Sequence, residues 1–206
     1  WKRPDIEAAR AAAQVFVFEA PLKDADAAMA SFVDKHGRLT GGQTLKKLLG
    51  AKAHQSLQEA AWAVQYPPRL LETLRPWLAA VYLELYSYLR AGYSPFYGVD
   101  HVIEREAQAR GASFAYLETV EEQLSYFTKL GGPGELRYLQ STVDGVLKEP
   151  DMPHALVTAW STGDVATLSA LIDKGFDDLP QLRAQLLTAR NRKWLPQRSE
   201  EHTSEL

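Results

Sequence analysis

Two glutamates stand where chemistry could be done. Val15-Phe16-Val17-Phe18 is a continuous apolar run of β-branched and aromatic residues that hands over to Glu19. Ser113-Phe114-Ala115-Tyr116-Leu117 is a second such run, and it hands over to Glu118. Both read as short strands, the first buried on both faces. In open α/β folds ligands sit at the C-terminal ends of strands, so a carboxylate placed there is a candidate for a site. The plainer alternative is that each acid caps the turn after it. The repetition at two separate strands is what speaks for a site. A third stretch, Arg190-Asn191-Arg192-Lys193-Trp194, gathers three cations at the end of the last helix, where positive charge also favours the helix dipole.

Other residue types offer less. His101 and Glu104 share one helical face, but a di-metal bundle draws such pairs from two helices and adds further glutamates. His36, His54 and His154 stand alone and read as surface or structural residues. The loop His36-Gly37-Arg38-Leu39-Thr40-Gly41-Gly42 has glycines that could cradle phosphate. No Gly-Lys-Ser/Thr follows it and no strand precedes it, so it reads as a connector. No Gly-x-Ser-x-Gly elbow serves a serine nucleophile. The absence of cysteine excludes a disulfide, a thiolate metal site and a cysteine nucleophile.

The elements that must position these residues come from a chain of ordinary globular composition. Its 206 residues suit one domain, or one with a sizeable insertion. A net charge of −3 gives no electrostatic case for binding nucleic acid. No uncharged apolar run is long enough to span a membrane. The richest stretch, Trp77 to Leu89, is interrupted by Glu84 and reads as a buried core helix.

Helices are expected over Pro4–Ala13, Asp24–Asp34, Gln43–Leu49 and Ala51–Val64. Arg69–Ala91 follows, kinked or split at Arg75 by Pro76. Asp100 stands where an N-cap is wanted before the helix that Gly111 ends. Thr119 can cap the next helix, with Glu122 in capping-box register. Helix is then expected over Glu121–Leu130, stopped by Gly131-Gly132-Pro133-Gly134. Glu135–Lys148, Met152–Ser161, Val165–Lys174 and Pro180–Trp194 complete the series. The fold class is thus α/β but predominantly helical, with a small parallel-type sheet and a large helical insertion. The tail Arg198–Leu206 resembles the in-frame translation of a sequencing adapter. It is expected to be non-native and exposed.

Taken together, Val15–Glu19, Arg75-Pro76-Trp77, Gly98-Val99-Asp100, Leu117-Glu118-Thr119 with Gln123-Leu124, Ala159–Asp164 and Arg190–Trp194 fall in one order. That ordered set resembles the TraB/GumN family, a bacterial group related to the Tiki metalloproteases, over residues 1–197. The resemblance implies a hydrolase-like site, peptidase-like in Tiki relatives, that uses a divalent metal ion. Carried over position by position, Glu19 would be metal ligand or general base, and Arg190 would stabilise negative charge on the reacting group. Asp100, Glu118 and Asn191 would orient them. The family's two Gly-x-x-His motifs, one on a strand before the first helix and one beyond the Arg190-Asn191 helix, are not present at those places, so the resemblance implies an incomplete domain whose missing motifs lie outside both ends. It also implies a peptide or protein substrate and a cell-envelope location. The alternative is a non-catalytic helical module that binds or regulates a partner.

Overall fold

The computed structural model describes residues 3–22 and 25–203, with side chains through residue 196. The expected helix start at Asp24 and the exposure of the Arg198–Leu206 side chains lie outside the described residues. The chain begins with α1 (Pro4–Ala12), β1 (Val15–Phe18), α2 (Ala25–His36), α3 (Leu45–Ala63) and α4 (Pro76–Arg90). It continues through α5 (Val99–Ala109), β2 (Ser113–Tyr116), α6 (Val120–Thr128) and α7 (Gly131–Lys148). The last part holds α8 (Met152–Thr162), α9 (Val165–Gly175), the short α10 (Pro180–Arg183), a π-helical turn over Ala184–Ala189, and α11 (Arg190–Thr203). The architecture is α/β and predominantly helical, around a two-stranded parallel sheet.

Proline and glycine set several of these boundaries. Pro76 opens α4 as its first residue, where a missing N–H costs nothing. The expected Arg69–Ala91 segment is therefore split, with a short 3-10 turn at Pro68–Leu70 before it. Gly50, at φ +75°, breaks the helical path inside α3, so the two helices expected there meet at a kink. The expected stop at Gly131-Gly132-Pro133-Gly134 holds, since α6 ends at Thr128 and Gly131 takes φ +67°, but the stretch is itself helical. It is the first turn of α7, where neither Pro133 nor the glycines must satisfy an interior bond. Asp100 is not the N-cap of α5. Gly98 takes that place and Asp100 sits in the first turn.

The main core is helical. Leu45, Leu57, Leu71, Trp77, Leu83 and Leu139 are almost wholly buried where α3, α4 and α7 pack together. A column of stacked rings crosses it: Trp77 on Phe127 at 5.8 Å, and Phe127 on Tyr138 at 5.7 Å. Only the first half of α4 is enclosed, because Leu85 and Leu89 reach solvent. The strands lie to one side of this core. Phe16, Phe18 and Phe114 pack on one face of the sheet, while Val15 and Val17 are 55% and 39% exposed on the other. The expectation of a strand buried on both faces is thus corrected: β1 alternates, as a strand with one covered face must.

One ion pair pins the helical part. Arg75, just before α4, donates through Nε to Glu135 Oε2 at 3.3 Å and through Nη2 to Glu135 Oε1. Its Nη1 donates to the His36 carbonyl at 3.2 Å, which also receives the Trp77 indole N–H at 3.2 Å. Burial raises the Glu135 pKa, and the hydrogen bonds and charge of Arg75 pull it back. Replacing Arg75 by Met should cost roughly 3–5 kcal/mol, because it strands a buried carboxylate. The pair Arg75→Met with Glu135→Leu should recover most of that loss. Urea unfolding of the three proteins measures it, and equal losses in single and double variants would overturn the assignment.

Candidate functional site

The parallel ladder between β1 and β2 continues past the strands. Leu117 N–H donates to the Phe18 carbonyl at 3.1 Å, and Glu118 N–H donates to the Glu19 carbonyl at 2.9 Å. Parallel pairing therefore brings the two glutamates side by side at one edge of the sheet. They differ in environment: the Glu118 side chain is fully buried, and that of Glu19 is 53% exposed.

Arg190 bridges them. Its Nη2 donates to Glu19 Oε2 at 2.8 Å and also to Glu118 Oε1, while its Nε donates to Glu118 Oε1 at 2.9 Å. The guanidinium lies 4.4 Å from the centre of the Trp194 ring and 5.9 Å from that of Tyr126. Burial works against the Arg190 charge, and its bonds to Glu118 and Glu19 more than reverse that. Tyr126 completes the support by donating its hydroxyl to Glu118 Oε2 at 3.1 Å. Burial and the neighbouring Glu118 charge raise the Tyr126 phenol.

Local structure explains why this bridge forms. Thr119 caps α6: its Oγ1 accepts from the Glu122 N–H at 3.1 Å, and Glu122 Oε2 accepts from the Thr119 N–H at 3.0 Å. The free oxygen of Glu122 then accepts from Lys193 Nζ at 2.7 Å. That bond and the cap hold the Glu122 carboxyl below its usual range. Arg190, Lys193 and Trp194 stand at i, i+3 and i+4, on one face of α11. The π-helical turn ends at Ala189, directly before Arg190, so the expected single helix Pro180–Trp194 is interrupted at the site. Gln185 Oε1 and Trp194 Nε1 are buried with no partner among the described residues.

Of the residues singled out by sequence, Glu19, Glu118 and Arg190 are brought together. Asn191 is one position round the helix from Arg190 and is exposed. Among the described residues no hydrogen bond or ion pair joins Asp100 or Asn191 to the other three. Tyr126, Lys193 and Trp194 were missed as participants. The signal for Tyr126 was its place two turns beyond the Thr119 cap. The signal for Trp194 and Lys193 was their i+4 and i+3 spacing from Arg190.

These motifs follow one another along the whole chain in a single order, and the TraB/PrgY/gumN family model matches residues 1–205. The chain belongs to the TraB/PrgY/gumN family. No curated protein and no solved structure matches it. Among the described residues no helix is long and apolar enough to cross a membrane.

Whether this family member can hold a divalent ion depends on its free oxygens. Both oxygens of Glu118 are occupied, one by Arg190 and one by Tyr126. Glu19 keeps Oε1, but a divalent ion takes several ligands. No group of three or more His, Asp or Glu is placed for one among the described residues. The described donors therefore do not by themselves compose a metal site.

The two glutamates should respond differently to mutation of the bridge. Arg190→Ala strands the fully buried Glu118 charge and should cost roughly 3–5 kcal/mol. Glu19→Ala removes only a half-exposed partner and should cost less than about 1 kcal/mol. Chemical denaturation compares them. A loss from Glu19→Ala as large as that from Arg190→Ala would mean that Glu19 is structural.

Proposed function

We propose that the Glu19–Arg190–Glu118 edge is the acid–base and charge-stabilising part of a hydrolytic site acting on a peptide. The observation that carries the reading is the bridge itself. Two carboxylates face one guanidinium, so one negative charge is left over, and the exposed member holding it is Glu19. Glu19 then serves as general base toward water, which needs a carboxylate with a free oxygen open to solvent. Arg190 stabilises negative charge that develops on the reacting group. Glu118 and Tyr126 fix the guanidinium and do not meet the substrate. The family membership supports this reading, and so does the position at the C-terminal strand edge.

A divalent ion belongs to the proposal only through Glu19 Oε1, which accepts no hydrogen bond from the described residues. The four described histidines are engaged elsewhere: His36 beside Phe32, His54 on Glu72, His101 beside Phe96 and His154 on Tyr93. A second reading, a helical module that grips a peptide without cleaving it, is favoured by Phe96 and Tyr97. They are 74% and 82% exposed in the turn before α5.

Calorimetry with zinc, manganese and cobalt tests the first reading. Binding should be weak, with Kd on the order of 0.1–1 mM as for sparsely liganded sites, and should disappear in Glu19→Ala. Peptide turnover by these residues alone should stay at background. Submicromolar binding that survives Glu19→Ala would show that the ligands lie elsewhere and overturn the assignment of Glu19. Saturable peptide binding that depends on Phe96 and Tyr97 but not on Glu19 would favour the second reading.

A further inference from the structure

Phe96 and Tyr97 are the two most exposed large apolar side chains among the described residues. They sit on a short 3-10 turn, Pro95–Tyr97, that opens directly onto α5. Backbone bonds close this turn. Tyr97 N–H donates to the Ser94 carbonyl at 3.1 Å, and Gly98 N–H donates to that of Pro95 at 2.9 Å. A Cβ at residue 98 would stand 3.1 Å from the Pro95 carbonyl oxygen, so glycine lets the turn close this tightly. Phe96 leans on His101 at 6.4 Å between ring centres. Rings held in water by a bonded backbone lose little freedom when a ligand covers them.

Topology sets that turn beside Glu19. Gly111 reverses the chain after α5 and leads it into β2, so α5 runs antiparallel to both strands. The far end of α5 is fixed against the end of α1. There Arg110 donates to the Arg10 and Ala11 carbonyls at 2.8 and 3.3 Å, and its guanidinium lies 5.5 Å from the Phe16 ring centre. The 11 residues of α5 rise about 16 Å back along the sheet. The run from Ser113 to Glu118 rises about 16 Å the other way. The start of α5 is therefore level with Glu118 and with Glu19, whose carbonyl accepts the Glu118 N–H. The helix packs on β1, the strand that hands over to Glu19. Turn and carboxylate thus share one edge, separated by one packed layer, on the order of 10 Å.

We propose that Phe96 and Tyr97 form the subsite of this edge for a large apolar side chain of an extended peptide. The inference deepens the hydrolytic reading and takes the role of Glu19 from it, whereas the place of the turn follows from topology. Two neighbouring exposed rings gain most by covering an aromatic or branched aliphatic side chain. Glu19 carries excess negative charge, and the exposed Asp100 in the first turn of α5 adds another. Acidic residues next to the apolar one are therefore disfavoured. An extended chain covers that separation in about three residues, so the gripped side chain lies two or three positions from the bond at Glu19.

Amide NMR of the whole chain tests it with three acetylated, amidated pentapeptides. The first is Gly-Gly-Phe-Gly-Gly, the second has alanine for phenylalanine, and the third has aspartate on both sides of phenylalanine. The first should shift the amides of residues 19, 97 and 98 together, saturably in the millimolar range. The alanine and aspartate peptides should bind severalfold more weakly. Phe96→Ser combined with Tyr97→Ser removes only exposed rings and should weaken binding about tenfold, with the rest of the spectrum unchanged. No saturable shift, equal binding of the alanine peptide, shifts at residue 97 with none at residue 19, or unchanged affinity in the double variant would each overturn the proposal. The same shifts at full affinity in Glu19→Ala would uphold the subsite and count against the hydrolytic reading, so the two failures are distinct.

Discussion

The sheet edge depends on one ion pair, Arg190 with the fully buried Glu118. A carboxylate taken completely out of water is tolerable only when charge and hydrogen bonds replace its hydration. Arg190 supplies the charge and Tyr126 the remaining hydrogen bond. Because Arg190 comes from α11 and Glu118 from the end of β2, this requirement joins residues 72 positions apart. Lys193 on Glu122 and Trp194 under the guanidinium extend the same contact along one helix face. The last helix is therefore docked by its polar face, and the aromatic rings exclude water from the bonds that do the docking.

That arrangement divides labour between two glutamates that look equivalent in sequence. Glu118 has spent both oxygens on holding Arg190 and Tyr126. Glu19 shares Arg190 with it but remains half exposed, with one oxygen unspent. Burial decides which acid is architecture and which is available to react. Strand pairing decides that they meet at all, since the backbone N–H of Glu118 donates to the carbonyl of Glu19.

Much of this was legible in the sequence because it rests on local chemistry. The capping box at Thr119 and Glu122, the split at Pro76 and the two strands follow from residue types at fixed offsets. What was not legible depends on partners distant in the chain. The exposed face of β1 follows from a sheet of only two strands, which an apolar run cannot announce. Gly131–Gly134 ends one helix and also opens the next, because packing of α7 on α4 outweighs the weak propensity of its first turn. Asn191 entered the expected site through the family resemblance, yet one residue along a helix is a turn of about 100° away from the face of Arg190. The π-helical turn before Arg190 left no compositional trace.

The excess charge at the sheet edge carries the last step. Most charged side chains with described partners are matched one to one, as in Arg75 with Glu135, Arg183 with Asp173 and Lys174 with Glu149. Against that pattern two carboxylates share Arg190, and the excess negative charge at the sheet edge falls to the half-exposed Glu19. Folding gives little reason to retain it, since alanine at 19 would remove a half-exposed carboxylate and leave Arg190 on Glu118. Position 19 instead holds negative charge where a polar ligand can reach it, and that is the physical ground for placing function there.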